Sequence, residues 1–367
     1  MSKWEKVKWA EVVEIKNGKN QKAVADVNGR YPIYGSGGVM GYANDYLCDE
    51  DTVVIGRKGS INKPIYVAEK FWNVDTAFGL NAKKDRLHPK YLFYFCVNFD
   101  FEKLNTTVTI PSLTKSNLHN IEMPLPQYEI QKKIAKTLDT AAELLAMRKQ
   151  QLADLDNLIK STFYDMFGDL TSNEKQWESA SIVDVCTEIV DCVNKTAPII
   201  EGVSPYKMLR TTNIKKGKVD TRNVNYVDEQ TFQKWTRRSV PKRGDVLLTR
   251  EAPIGETGII ESDDFLFLGQ RIVSYRANDS IIHPIYLMYL MQSDYFQDQI
   301  RRLARGSTVK HLSVPECNLF VAYVPPIELQ NKFANMVTKI EEQKALVKKA
   351  IDETQHLFGS LMSEYFE

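Results

Sequence analysis

The densest group of residues that could bind a polyanion lies in residues 207–250. This segment holds twelve Lys or Arg residues against four acids, Asp220, Asp228, Glu229 and Asp245. Five acids and no base follow in residues 251–264, and residues 301–310 again carry four positive residues and no acid. Basic residues mixed with Ser, Thr, Asn and Gly are typical of surfaces that bind backbone phosphates. For either segment alone, a solvated basic face without a ligand is the alternative.

The sequence contains no recognisable catalytic constellation. It lacks G-x-x-x-x-G-K-[ST], H-E-x-x-H, the Asn-Pro-Pro methyltransferase motif, and the Pro-Asp with Glu-x-Lys pattern of many nucleases. The glycine-rich residues 35–41 depart from G-x-G-x-x-G at Met40, so we expect a hairpin loop or a turn whose backbone approaches a phosphate. The five histidines are scattered, and His88 and His283 precede Pro at predicted helix starts. We therefore predict no catalytic residue and no metal site.

Composition places the chain among soluble globular proteins. Its 367 residues are 43% hydrophobic and 26% charged, which excludes wholesale disorder and favours two domains. The longest apolar stretches are too short to cross a bilayer, and the charged first residues do not resemble a signal peptide. The five cysteines include no C-x-x-C pair. We expect reduced, mostly buried thiols and a cytoplasmic protein without a disulfide framework or a membrane segment.

An internal repeat organises the whole chain. Pro126, Glu129 and Gln131 recur 199 residues later as Pro325, Glu328 and Gln330, and the His-Pro at residue 88 recurs 195 residues later. Residues 51–61 align with residues 245–255 at an offset of 194, whereas Trp4 and Trp177 are only 173 apart. The second copy therefore carries about 21 extra residues before Asp245, in or beside the basic segment. An insertion there is typical of a variable binding surface.

Each copy divides into a globular part and one long helix. Short β-type runs with turn signals, followed by an amphipathic helix at His-Pro, predict a mixed α and β domain. Residues 128–167 and 327–366 contain no Pro and each predict a single helix, interrupted at most near Gly359. The predicted class is α+β, with globular domains at residues 1–126 and 170–324 and long helices at 127–169 and 325–367.

Both long helices carry a heptad seam. Its main apolar positions are Leu138, Leu145, Leu152, Leu155 and Ile159 in the first helix, and Val337, Ile340, Val347, Ile351 and Phe358 in the second. Arg148 in the first helix, and Lys344 and Thr354 in the second, stand where the other helix has an apolar residue. Pairing of either helix with its own copy would bury like charges, so the pattern favours pairing of the two different helices. In the alternative, each helix merely covers its own domain.

These features resemble the specificity subunit of type I restriction-modification systems. The resemblance rests on residues 31–42, 51–67 and 107–139, repeated more loosely at residues 249–261 and 306–334, and it covers nearly the whole chain. It implies two target-recognition domains, each reading one half of a bipartite DNA sequence, joined by an antiparallel coiled coil with an internal pseudo-twofold repeat. It also implies two adenine-methylating subunits docked on the helices, and added motor-nuclease subunits. S-adenosylmethionine, ATP and Mg²⁺ are then expected on those partners, with no cofactor in this chain.

Candidate DNA contacts follow from side chains that can pair with base edges or phosphates. In the first domain they are Arg57, Lys58, Ser60 and Asn62 on one turn, with Ser36, Thr106 and Thr107 as phosphate contacts. In the second domain they are Lys215, Lys216, Arg237, Arg238, Arg250, Ser307, Thr308 and Lys310. The second copy lacks the glycines of residues 56–60, so individual contacts cannot be transferred between the copies.

Two other functions are alternatives to that of a DNA-specificity subunit. A self-contained restriction enzyme would carry its own catalytic motifs, which the sequence lacks. A cytoplasmic coiled-coil adaptor that binds only proteins would explain the helices but not the net charge of +8 in residues 207–250.

Overall fold

The computed structural model describes residues 4–104, 112–305 and 310–367. The chain forms two compact units, one comprising Met1–Leu152 with Leu346–Glu367 and the other Ala153–Ala345. Each long helix therefore contributes to both units. The candidate contacts Thr106, Thr107, Ser307 and Thr308 lie outside the described residues.

The described residues in the globular part of the first unit form three sheets. Its strands are β1 (Lys6–Lys8), β2 (Val13–Asn17), β3 (Tyr31–Gly35), β4 (Gly38–Ala43), β5 (Thr52–Gly56), β6 (Ile65–Val67), β7 (Trp72–Asn73), β8 (Ala77–Ala82) and β9 (Glu122–Pro124). They are ordered β1-β9, β2-β8-β5-β6 and β4-β3-β7, antiparallel except for β3 and β7. Its helices are α1 (Trp9–Val12), α2 (Pro89–Asn98), the 3-10 helix Phe101–Leu104, α3 (Lys115–His119) and the long α4 (Tyr128–Phe167).

The second unit repeats this plan with additions. Its strands are β10 (Ser179–Ser181), β11 (Cys186–Asp191), β12 (Tyr206–Leu209), β13 (Ile214–Lys215), β14 (Gly217–Val219), β15 (Asn225–Tyr226), β16 (Val246–Arg250), β17 (Ile254–Ile259), β18 (Phe265–Leu268), β19 (Ile272–Ala277) and β20 (Val321–Tyr323). They are ordered β10-β20, β11-β19-β16-β17-β14-β13 and β15-β12-β18. Its helices are α5 (Ile182–Val185), the 3-10 helix Thr211–Asn213, α6 (Glu229–Trp235), α7 (Pro284–Gln292), α8 (Asp294–Leu303), α9 (Val314–Cys317) and the long α10 (Ile327–Phe366).

The predicted α+β class with two long helices is confirmed. The helices α4 and α10 begin and end at the predicted residues, and α10 continues through Gly359 without interruption. The helices α2 and α7 start at Pro after His, where the fixed φ of Pro suits the first helical turn. The helix α8, which follows α7 directly, was not predicted.

Strand register corrects the alignment of residues 51–61 with 245–255. Gly56 lies opposite Ala77 in β8, and Thr249 lies opposite Ile272 in β19. Because β8 and β19 begin 195 residues apart, like the two His-Pro pairs, Gly56 corresponds to Thr249 at an offset of 193 rather than 194. Arg57 and Arg250, the next residues, are therefore structurally equivalent. The second copy has two additional residues between these strands.

A buried glutamine joins each long helix to its own domain in the same way. The side-chain oxygen of Gln131 accepts a hydrogen bond from the His88 N–H at 2.8 Å, and its amide donates to the carbonyls of Arg86 and Pro126. Gln330 makes the same three bonds, accepting from His283 and donating to Ile281 and Pro325. Both side chains are fully buried, so each repeated Gln satisfies backbone groups that would otherwise be buried without partners.

The ten seam residues are all buried or half-buried. Within the first unit, Ile134 and Leu138 belong to one apolar core with Met362 and Phe366, so the beginning of α4 packs near the end of α10. Within the second unit, Phe163 and Phe167 of α4 contact Phe333 near the start of α10. The two helices are thus antiparallel in each unit.

Each polar seam position has a polar partner. In the first unit, Arg148 donates to Thr354 Oγ1 and to the carbonyl of Ala350. In the second unit, Lys344, which is 6% exposed, forms ion pairs with Asp156 at 2.6 Å and with Glu341. Burial opposes the charge of Lys344, but both carboxylates outweigh it and raise the pKa of Lys344 above its usual value. These pairs favour the association of α4 with α10.

We expect Lys344→Ala to lower the free energy of unfolding by about 1–3 kcal/mol, because it leaves Asp156 without its partner, takes one of two cations from Glu341 and removes a buried alkyl chain. Thermal unfolding followed by circular dichroism measures the change. Lys349→Ala is the matched control, since Lys349 is exposed on the same helix and its ion pair with Glu353 spans 3.9 Å. Equal melting temperatures for the two variants would contradict a stabilising role for the buried pair.

Candidate nucleic-acid interface

In the first unit, the candidate turn follows the fully buried strand β5. Arg57, Lys58 and Ser60 are exposed, and the Arg57 guanidinium lies over the Phe78 ring at 5.8 Å. The Arg57 carbonyl accepts a hydrogen bond from the Leu113 N–H at 3.0 Å. This bond ties the turn to the residues that follow the 105–111 segment. Two cations and a hydroxyl are therefore presented to solvent just after the end of a buried strand.

The hairpin formed by β3 and β4 approaches this turn closely. Its two-residue loop contains Ser36, as the hairpin alternative predicted. A Cβ atom on Gly56 would lie 2.5 Å from the Ser60 carbonyl oxygen and 3.1 Å from Ser36 Cβ. Any side chain at Gly56 would thus force the hairpin and the turn apart. The structure brings Ser36 together with the residues of the Arg57 turn.

Asn62 has a different role from its neighbours on the turn. Its amide donates to Asp100 Oδ1 at 2.9 Å, and its oxygen accepts from the Phe101 N–H at 2.8 Å. The bond from Asn62 lowers the pKa of Asp100. The side chain therefore fixes the start of the 3-10 helix, and both of its polar groups are engaged within the domain.

In the second unit, Lys215 and Lys216 lie at the tight turn between β13 and β14. Lys216 and Gly217 both have positive φ, at 51° and 81°, as a type I′ hairpin turn requires. Both lysine side chains are exposed, and neither forms an ion pair with any described residue. The Lys216 backbone N–H donates to Glu256 Oε2 at 3.2 Å, so one carboxylate lies at the turn, but both lysine side chains remain exposed.

The remaining basic candidates differ in exposure and in whether their side chains have partners within the protein. Arg237 and Lys310 are exposed, with no ion pair to the described part of the chain. Arg238 instead forms an ion pair with Asp191 at 2.6 Å and donates to two backbone carbonyls. Arg250 is half-buried and donates to the Leu312 carbonyl at 2.9 Å.

Four of the twelve basic residues in residues 207–250 form ion pairs with described acids: Lys207, Lys218, Arg238 and Arg243. Lys207 pairs with Asp264 at 2.8 Å and Arg243 with Asp263 at 3.0 Å, both acids from the predicted compensating run. Lys218 pairs with Glu341 of α10 at 2.6 Å. Lys215, Lys216 and Arg237 are thus the candidates of this segment that keep their full charge for a ligand. The sequence indicated the acidic run but not which acid pairs with which base, because the partners lie between about 20 and 120 residues away.

The histidines and cysteines have structural surroundings. His88 and His283 precede α2 and α7, His283 Nδ1 accepts from the Ile285 N–H, and burial lowers the pKa of both imidazoles. The cysteines are free thiols, all buried except the half-buried Cys186. Over the described ranges, no group of three His, Cys, Asp or Glu residues could hold a metal ion. Nor is any helix there long and apolar enough to span a membrane.

Comparison with known proteins agrees with the repeat. The family model described as "Type I restriction modification DNA specificity domain" matches residues 1–157 and again residues 174–355. A type I restriction enzyme specificity subunit of Methanocaldococcus jannaschii is 24% identical over 391 aligned positions, which cover 98% of this chain and 91% of the relative.

Two solved structures share the fold. The S subunit of a type I restriction-modification system from M. genitalium superposes with a TM-score of 0.65 at 15% identity, covering 100% of this chain and 96% of that one. A chain from a study of complex assembly and conformational transition of the type I system gives a TM-score of 0.59 at 15% identity, with 99% and 97% coverage.

Proposed function

Because the chain belongs to the type I restriction modification DNA specificity family, we propose that it recognises the DNA target of a type I restriction-modification complex. Each repeat reads one half of a bipartite, asymmetric sequence, and the long helices set the spacing between the halves. The observation that carries the proposal is the match of the family model to both repeats. The exposed turns of the repeats differ in sequence, while their helix starts and buried glutamines are alike. This pattern is expected when exposed turns recognise different DNA sequences and the fold that carries them is the same in both repeats.

The chain itself supplies specificity rather than catalysis. Two adenine-methylating subunits dock on the long helices, and motor-nuclease subunits bind to the complex that they form. S-adenosylmethionine, ATP and Mg²⁺ bind to these partner subunits rather than to this chain. The complex works in the cytoplasm. The chain shares its fold with a protein studied for complex assembly of the type I system, which supports assembly with partner subunits. An adaptor without DNA specificity does not fit the family.

The proposed DNA binding can be tested at the exposed basic residues that form no ion pair with a described residue. In the complex with the methylating subunits, replacing Lys215, Lys216 and Arg237 by Ala should weaken binding to all DNA sequences. The slope of log affinity against log salt should fall in magnitude by roughly one for each lost phosphate contact. Fluorescence anisotropy with the target duplex and an unrelated duplex, over a series of salt concentrations, measures both effects.

Lys339→Ala is the matched control, because Lys339 is exposed on α10 and belongs to neither basic segment. Its salt slope should equal that of the unmodified complex, with assembly checked by size-exclusion chromatography. If the triple variant keeps the original slope, these three residues do not contact DNA. If the unmodified complex binds every sequence equally, the proposed function is wrong.

A further inference from the structure

Two arginine side chains and the backbone N–H of a third arginine contact Cys192 in the second unit. Arg238 donates to the Cys192 carbonyl at 3.1 Å while pairing with Asp191. Arg250 Nη2 lies 3.8 Å from Cys192 Sγ, and the Arg271 N–H donates to the same sulfur at 3.1 Å. Cys192 is only 2% exposed, so the thiol is an internal acceptor around which these segments are arranged.

Arg250 joins this cluster to the segment beyond residues 306–309. Its Nη1 donates to the Leu312 carbonyl at 2.9 Å, and the Leu312 N–H donates back to the Arg250 carbonyl at 3.0 Å. Its Nε is buried without a partner among the described residues. A guanidinium that reads guanine must present two of its N–H groups outward as a fork. In Arg250, Nη1 and Nη2 instead face the Leu312 carbonyl and Cys192 Sγ within the same unit.

The equivalent residue of the first unit behaves differently. Arg57 makes the same backbone bond, to Leu113, but its side chain is exposed and lies over Phe78. The two repeats thus place an arginine at one backbone position, directed outward in the first and inward in the second.

We infer that Arg238 and Arg250 are positioning residues for recognition of the second half-site, and that neither contacts DNA. This inference rests on the proposed function. The two side chains hold residues 191–192, the end of β16 and the segment from Lys310 to Leu312 in one arrangement, from which neighbouring residues meet the DNA. Losing either arginine should therefore reduce discrimination between sequences without changing the number of phosphates contacted.

Cys192 offers a direct test, because it carries no charge and is too buried to touch DNA. In the assembled complex, Arg250→Ala and Cys192→Ala should both reduce the affinity ratio between target and unrelated DNA at least about tenfold. Both should leave the salt slope unchanged. Cys192→Ser keeps an acceptor for Arg250 and Arg271 and should retain most of the discrimination.

Hydrogen exchange without DNA supplies a measurement that a DNA contact would not affect. Arg250→Ala should accelerate exchange at the Leu312 amide, and Cys192→Ala at the Arg271 amide, both measured by mass spectrometry on the assembled complex. Unchanged exchange at Leu312, or a salt slope lowered by about one in Arg250→Ala, would overturn the inference. If the unmodified complex shows no sequence preference, the proposed function fails instead, and the exchange data still decide whether Arg250 positions this segment.

Discussion

Exchanging residues 1–126 for the corresponding domain of a specificity subunit with another target should change one half of the methylated sequence completely. The other half should stay the same, because residues 170–324 and both long helices are retained. Mapping methylated adenines by long-read sequencing measures the outcome directly. The reciprocal exchange of residues 170–324 is the matched control and should change only the other half.

The internal contacts of the first unit explain why this exchange should be tolerated. Its described core is built from residues 9–123, from Ile134 and Leu138 of α4, and from the end of α10, without a member from residues 170–324. The junction at residue 126 lies beside Gln131, which binds the carbonyls of Arg86 and Pro126 and the N–H of His88. The incoming domain must therefore supply the same three backbone groups. A change in both halves of the target would show that the domains do not read independently.

The long helices could be predicted to the residue because local signals determine them. Forty residues without Pro follow a Pro-containing segment in each copy, and the heptad pattern identifies the buried face. The polar seam positions were also informative, since Arg148 with Thr354 and Lys344 with Asp156 form the cross-helix contacts. For the long helices, residue type and spacing alone were sufficient to predict their bounds and their buried face.

The candidate interface was less predictable because its side chains depend on distant partners. Nothing near Arg238 in the sequence indicates that Asp191, 47 residues earlier, will neutralise it. Asn62 bonds Asp100 and Phe101, which lie about 40 residues later, so its local sequence could not indicate these contacts. The equivalence of Arg57 and Arg250 likewise required strand register, because two residues inserted between β16 and β19 shift the alignment.

Inserting one heptad after Gln151 and another after Ala350 should lengthen the preferred spacer between the half-sites. Facing residues of the two helices have numbers that add up to about 500, as Arg148 with Thr354 and Asp156 with Lys344 show within their own units. The two insertion points therefore face each other. Seven residues restore the same apolar face, so the seam should survive the insertion.

The expected change in spacer is about three base pairs, since seven residues add about 10.5 Å and one base pair of B-DNA spans about 3.4 Å. Three base pairs also rotate the groove by nearly a third of a turn, so affinity should fall even at the new optimum. Inserting four residues at both points is the control, because it moves Leu152 and Ile351 off the seam and should destabilise the helices. Measuring the affinity for duplexes with a series of spacer lengths shows which spacer each variant prefers. A folded heptad variant that still prefers the original spacer would mean that the methylating subunits, rather than the helices, set the distance.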